Sequence, residues 1–254
     1  MYRKEDYIAV FDSGVGGISV LRQLRKIMPD ENYIYFGDSA NAPYGSRSTE
    51  QVRELTLAAA EKLIAEYPVK ALVVACNTAT AAAIELLREE YPDIVVVGIE
   101  PALKVATDRF PRGHVGIMAT QVTLREEKLE HLVCRFPDAT VERIPAPGLV
   151  ELVEQGKAES EETETLLRTI LGPYMGQLDA IVLGCTHYPF VKNVVQNVLG
   201  EDVILVDGGA GTARQTKRLL EERGWLREGT GSLQMENSSG REDLLDLSME
   251  LLNK

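Results

Sequence analysis

The sequence predicts an α/β protein built twice, two pseudo-symmetric halves that each carry a mainly parallel sheet with helices on both faces and that share a cleft. Three observations carry this. Short β-branched or aromatic runs alternate with helical stretches, the rhythm of a parallel sheet. The rhythm restarts near residue 114. The halves also align: ALVVACNT (71–78) lies over AIVLGCTH (180–187) and DIVVVG (93–98) over DVILVD (202–207), both at an offset of 109. At an offset of 107, YIAVFDS (7–13) lies over HVGIMAT (114–120).

The elements follow in order. Residues 7–11 read as a strand running into Asp-Ser-Gly-Val-Gly-Gly. A helix is expected over 18–28, stopped by Pro29, then a strand over 33–36 and a polar loop, GDSANAPYGSRS. The Ala/Leu/Glu-rich stretch 49–66 reads as a helix ended at Tyr67-Pro68. Residues 71–75 form a buried-type strand, CNTATAAAIELLREE a turn and helix, and 94–98 another strand. In the second half, strands are expected at 114–118, 140–144, 180–183 and 203–206. Helices are expected at 123–136 and 160–171, the latter opening with Ser-Glu-Glu. The tail holds a helix over 212–223, a turn at Gly224, a strand near Leu233 and a final helix from Glu242. Two chain crossings, near 99–101 and 208–211, make a natural hinge and return the tail to the first half.

Composition removes several function classes. The chain has 254 residues, 44% of them hydrophobic, so a disordered chain is a poor reading. No apolar run approaches the ~20 residues that span a bilayer. The amino terminus, MYRKEDY, has no apolar h-region, so no secretory signal is expected and a cytoplasmic location is. A net charge of −12 disfavours nucleic acid and anionic lipid surfaces as partners. An anionic ligand would therefore need local donors working against the global field. The three cysteines, at 76, 134 and 185, form no CxxC pair, and the three histidines show no metal spacing, so neither a disulfide scaffold nor a metal site is expected.

The chemistry-bearing residues lie at strand ends, where open α/β sheets bind ligands. Cys76 and Cys185 occupy matching positions where a strand becomes a helix, and each is followed by polar residues: Asn77 and Thr78 in one half, Thr186 and His187 in the other. Alone, either cysteine would read as a small buried hydrophobe. At duplicated strand ends, with helix N-termini that favour thiolate, the pair reads as functional. Cys134, beside Leu132, Val133 and Phe136 on a helix, reads as core, and His114 and His131 as structural or surface. His187 is placed to serve Cys185 as an acid/base partner.

The Gly-rich loop at 12–17 is neither GxGxxG, since its sixth position is Ser19, nor a phosphate loop. Its backbone N–H groups at a helix start suit a carboxylate, and Asp12 suits an amine; a tight turn capped by Asp12 and Ser13 is the plainer alternative. In Asn41-Ala42-Pro43-Tyr44-Gly45, Tyr44 could cover a ligand and the Gly45 N–H donate to it. Glu151 and Glu154, three apart, share a face if that stretch is helical, and one of them could reach the cleft.

Together DSGVGG (12–17), GDSANAPYG (37–45), ACNTAT (75–80) and GCTHYP (184–189), with the late NSSG, resemble the glutamate racemases of the aspartate/glutamate racemase superfamily, and the resemblance runs the length of the chain. It implies two three-layer α/β/α (flavodoxin-like) domains, residues 1–99 plus 209–254 and residues 100–208, with the active site in the interdomain cleft. It further implies racemisation of glutamate without a cofactor or metal, supplying D-glutamate for peptidoglycan, and a homodimer. Under it Cys76 and Cys185 correspond to the catalytic thiols, assisted by Asp12, His187 and Glu154. Ser13, Tyr44, Gly45, Asn77, Thr78, Thr120 and Thr186 correspond to substrate contacts, with Asp12 and His187 among them. The chain departs from the family pattern at Glu151, where Pro is usual, and at Met118-Ala119-Thr120, where Ile-Gly-Thr is commoner. Two opposed thiols suit the reaction: one takes the α-proton from one face while the other returns a proton to the opposite face. Three alternatives remain at this point: a related two-cysteine racemase acting on aspartate or another small acid, a hinged carboxylate-binding module, and a thiol redox protein.

Overall fold

The computed structural model describes residues 4–125 and 127–254. The chain begins β1 (Tyr7–Asp12), α1 (Ile18–Ile27), β2 (Tyr33–Gly37), α2 (Thr49–Glu66), β3 (Val69–Val74), α3 (Asn77–Glu90) and β4 (Val95–Gly98). It continues through α4 (Leu103–Arg109), β5 (His114–Ala119), α5 (Gln121–Arg125), α6 (Glu127–Cys134), β6 (Thr140–Pro145), α7 (Leu149–Glu154) and α8 (Glu161–Leu171). The last elements are β7 (Ala180–Leu183), α9 (Lys192–Leu199), β8 (Ile204–Asp207), α10 (Gly209–Glu222), β9 (Leu233–Asn237) and α11 (Glu242–Asn253).

The strands form two sheets, ordered β4-β3-β1-β2-β9 and β6-β5-β7-β8, and every pairing is parallel. Read from the opposite edge, the second sheet repeats the first: β8, β7 and β5 take the places of β4, β3 and β1, the strands that the sequence offsets pair, and β6 takes that of β2. β9 extends the first sheet alone.

Each sheet is covered on both faces. Alternate residues of a strand point to opposite faces. Ile8 and Val10 pack with Leu21 and Leu24 of α1, Ala213 and Leu220 of α10 and Leu244 and Leu251 of α11. Their neighbours Ala9 and Phe11 pack with Ala60 and Leu63 of α2 and Ala79 and Leu87 of α3. In the second sheet Ile181 and Leu183 face Leu167 of α8 and Val195 of α9, while Ala180 and Val182 face Leu103 of α4 and Leu129 of α6. The result is two three-layer α/β/α units. Helix starts are capped locally: Ser48 and Gln51 make a reciprocal capping box at α2, and Ser160 accepts from the Thr163 N–H at α8.

Several expectations shift. The single helix expected over 123–136 is present as α5 and α6; residue 126, between them, lies outside the described residues, as do residues 1–3 of the amino-terminal MYRKEDY. Cys134 is exposed rather than in the core. Leu129, on the same helix, faces inward, whereas Cys134 falls one turn after Glu130, with its sulfur 3.8 Å from Glu130 Oε1 on the solvent side. α10 begins three residues before the expected Thr212, because Asp207 Oδ1 accepts the Gly209 N–H at 2.8 Å and opens the helix there. None of the described helices is long and apolar enough to cross a membrane.

Candidate active site

Parallel strands bring their carboxyl ends to one edge of each sheet. The loops after β1, β2 and β3 of the first sheet meet the loops after β5, β6 and β7 of the second around a cavity of about 260 Å³. Both Cys76 and Cys185 line it, so the repeated cysteines open into one void.

Cys76 is the residue that starts α3. Its sulfur accepts the Ala79 N–H at 3.5 Å and lies 3.5 Å from Ser13 Oγ. Burial pushes its thiol up to about 12, and the nearby Asp12 carboxylate adds to the rise against those two hydrogen bonds. In this arrangement Cys76 is a neutral thiol at pH 7.

Cys185 has a different partner. Its sulfur is 3.7 Å from His187 Nδ1, and His187 Nε2 is 2.7 Å from Glu154 Oε1. That same oxygen accepts the Val15 N–H at 2.8 Å. Burial opposes the imidazolium of His187, yet the bonds to Cys185 and Glu154 outweigh it and hold the ring well above its ordinary value. Burial likewise opposes the Glu154 carboxylate, and its bond with His187 and the Val15 amide bring it below the usual range. Val15, Glu154, His187 and Cys185 thus form one continuous line across the two halves.

Glu151 and Glu154 both border the cavity, and Glu154 is the one bonded to His187. Helix α7 places it there. The Gly-rich loop explains the rest of the fit. A Cβ at Gly14 would overlap Glu154 Oε1, and one at Gly16 would overlap the His187 ring and lie 2.6 Å from Thr186 Oγ1. These glycines let second-half side chains rest on the first-half loop. The carboxylate held by the loop amides is therefore the protein's own: Gly14 N donates to Asp12 at 2.9 Å and Val15 N to Glu154.

Asp12 does not border the cavity. It is fully buried, its second oxygen accepting from Thr186 Oγ1 at 2.9 Å, and burial raises its carboxyl despite the nearby His187 charge and its two hydrogen bonds. Through that bond it orients the Thr186 hydroxyl. The remaining residues singled out from the sequence, Ser13, Tyr44, Gly45, Asn77, Thr78, Thr120, Thr186 and His187, all line the cavity. Tyr44 is a wall rather than a donor, since its hydroxyl is spent on Asp38 Oδ2 at 2.7 Å. Asn77 is 6% exposed, with no protein partner for either its amide nitrogen or its oxygen. A ligand is the natural partner for such a group.

Two residues escaped the sequence reading. Asp38 anchors both Tyr44 and the Asn41 amide. Thr123 lies 3.4 Å from Thr78 and 3.1 Å from Thr120 through hydroxyl oxygens, closing a three-hydroxyl cluster between α3 and α5. Asp38 stood inside the quoted GDSANAPYG; Thr123 had no local signal. Among the described residues no cluster of three or more His, Cys, Asp or Glu is close enough to hold a metal ion.

Known proteins share this architecture and sequence. A family model described as Asp/Glu/hydantoin racemase matches residues 18–216. The glutamate racemase of Clostridium perfringens is 48% identical over 249 residues, 96% of this chain and 95% of its own length. That of Clostridium acetobutylicum is 48% identical over 254 residues, 98% of each chain. Among solved structures, glutamate racemase from Thermus thermophilus in complex with β-chloro-D-alanine superposes with a TM-score of 0.84 at 37% identity, covering 99% of this chain and 94% of that one. Escherichia coli glutamate racemase in complex with L-glutamate and the activator UDP-MurNAc-Ala gives 0.87 at 34% identity, covering 97% and 95%.

Proposed function

This chain belongs to the Asp/Glu/hydantoin racemase family, a family of isomerases, and on that premise we propose that it interconverts L- and D-glutamate at Cα, using Cys76 and Cys185 as opposed acid and base. The observation that carries the reading is the shared cavity: two thiols at pseudo-equivalent strand ends border one void of small-molecule size.

The division of labour follows from the surroundings of each sulfur. Cys185, beside the His187 ring, is assigned the role of the base that takes the α-proton. Cys76, a neutral thiol, gives its proton to the opposite face. The bond from Cα to its hydrogen breaks as the S–H of Cys185 forms, and the S–H of Cys76 breaks as the new C–H forms. Afterwards Cys76 is the thiolate, supported by the Ser13 hydroxyl and the Ala79 N–H, and the reverse reaction starts from that state. Glu154 keeps His187 charged and its Nδ1–H directed at Cys185.

The carbanion-like transition state is the costly step. The Asn77 amide and the Thr78 hydroxyl supply preorganised donors around the substrate carboxylate, each worth about 3 kcal/mol where charge develops. Closing the halves around the substrate would remove water from these contacts. We assign the halves to residues 1–99 with 209–254 and to residues 100–208, so that closure is a movement about the two crossings. In the same reading the product is D-glutamate for peptidoglycan, the enzyme works in the cytoplasm, and two copies form a homodimer.

The experiment is direct. Purified protein is incubated with L-glutamate or L-aspartate and followed by circular dichroism. Loss of signal with glutamate alone supports the reading. Equal or faster loss with aspartate would move the substrate assignment, and loss with neither would remove the racemase reading.

A further inference from the structure

Cys185 opens a tight turn. Its carbonyl accepts the Tyr188 N–H at 3.1 Å, and the His187 carbonyl accepts the Phe190 N–H at 3.2 Å. This is the three-residue spacing of the short 3₁₀ helix over Tyr188–Val191. At that spacing the Thr186 carbonyl would be served by the N–H of residue 189. Residue 189 is proline, which has no N–H to give. Thr186 is 3% exposed, and a buried carbonyl left without a donor is costly.

Ser19, in the first turn of α1, fills that gap from the other half. Its Oγ lies 2.9 Å from the Thr186 carbonyl oxygen and 2.9 Å from that of Gly16. A hydroxyl has one proton to donate. The Gly16 carbonyl already accepts the Ser19 backbone N–H at 3.0 Å, so the hydroxyl proton is needed at Thr186. The peptide joining Thr186 to His187 is planar, so a bond to its oxygen fixes the plane that carries the His187 backbone nitrogen. Asp12 holds the Thr186 hydroxyl at 2.9 Å, and a second point of support stops the residue turning about the first. Phe190, just beyond, packs against the cores of both halves.

We propose that Ser19 is a positioning residue of the active site: its hydroxyl supplies the hydrogen bond that Pro189 withholds from Thr186, and so keeps His187 Nδ1 within 3.7 Å of the Cys185 sulfur. Ser19 is not among the residues that line the catalytic cavity, so it acts through the Thr186–His187 peptide and not on the substrate. Its effect on turnover rests on the racemase reading above; its effect on the imidazole does not.

The test uses the full chain. Ser19→Ala leaves α1 intact, because alanine is the better helix former. Its kcat for glutamate should fall by about ten-fold with KM little changed, a fraction of the loss that about 1 Å of displacement of a catalytic group brings. Ser19→Thr keeps the hydroxyl and should recover most of that rate. Combining Ser19→Ala with Pro189→Ala returns an N–H to position 189 and should recover part of it. In protein carrying ring-labelled histidine, the His187 NMR signals should move in Ser19→Ala and return in Ser19→Thr, while those of His114 and His131 stay in place. Wild-type kcat with unmoved His187 signals in Ser19→Ala would overturn the proposal. So would a loss that neither Ser19→Thr nor the added Pro189→Ala recovers, the mark of packing alone. Should the wild-type protein fail to turn over glutamate, the racemase reading falls, and the His187 signals alone decide the role of Ser19.

Discussion

Glu154 Oε1 lies 2.7 Å from His187 Nε2 and 2.8 Å from the Val15 amide nitrogen, so one carboxylate oxygen joins the first-half loop to the imidazole that serves Cys185. Glu154→Gln keeps the size but removes the charge that helps hold His187 protonated. The His187 ring, followed by NMR, should then titrate at lower pH, and kcat should fall by about 100-fold, in the range of a lost acid/base partner. An unchanged His187 titration would show that Glu154 does not set its charge.

The same pair gives a stability profile. The folded-state value of His187 is raised above its unfolded value, so its contribution is complete below about pH 6.5 and fades as pH climbs toward the raised value. That of Glu154 is lowered, so its contribution is present above about pH 4.5 and fades as pH falls through the lowered value. Urea unfolding across pH should place the greatest contribution of this pair between those limits, and Glu154→Gln should flatten that part of the curve. A wild-type profile identical to the variant's would contradict the coupling.

Gly16 accommodates the His187 ring and the Thr186 hydroxyl, so Gly16→Ala forces both to move. Overpacking of this kind costs about 1–3 kcal/mol, and displacing a catalytic group by 1 Å costs about 100-fold in rate. A thermal melt combined with turnover should find a folded protein with a much larger loss in kcat than in stability. Wild-type kinetics would mean that the loop gives way freely.

Burial of Cys76 predicts slow chemistry toward alkylating agents. At pH 7, iodoacetamide followed by peptide mass spectrometry should modify the exposed Cys134 first and Cys76 far later, because so little of it is thiolate. Rapid labelling of Cys76 at neutral pH would contradict its assignment as the resting acid.

Thr120→Val removes one hydroxyl from the cluster with Thr78 and Thr123 while keeping the side-chain shape. Its oxygen bonds Thr78 Oγ1, Thr123 Oγ1 and the Thr123 N–H, each bond worth about 1 kcal/mol of folding stability, so the melting temperature should fall and kcat/KM should fall with it. No change in either would remove the cluster from the positioning machinery.

Much of the fold could be read along the chain, because the strands are compact apolar runs and the 107 and 109 offsets pair β1, β3 and β4 with β5, β7 and β8. Helices α4 and α9 carried no expectation: both are short, and α9 follows directly on the polar turn after Cys185. The cysteines were legible for the same reason as the strands, through duplication. What the sequence could not display is contact over distance. Glu154 bonds to Val15 across 139 residues, and that bond turns the Gly-rich loop from a ligand cradle into a seat for a second-half carboxylate. The Thr186 hydroxyl likewise reaches Asp12 across 174 residues, a partner that the loop's own sequence does not show. Cys134 was misplaced because α6 turns its sulfur toward Glu130 and solvent.

The opposed-thiol reading is tested most directly by isotope exchange. Pure L-glutamate is placed with the enzyme in deuterium oxide, and both enantiomers are separated and weighed by mass spectrometry before equilibrium. Two opposed thiols predict that the D-glutamate formed carries deuterium at Cα while the remaining L-glutamate is still unlabelled. Deuterium entering the remaining L-glutamate as fast as the D-product would mean that one group serves both faces, and the account would be wrong.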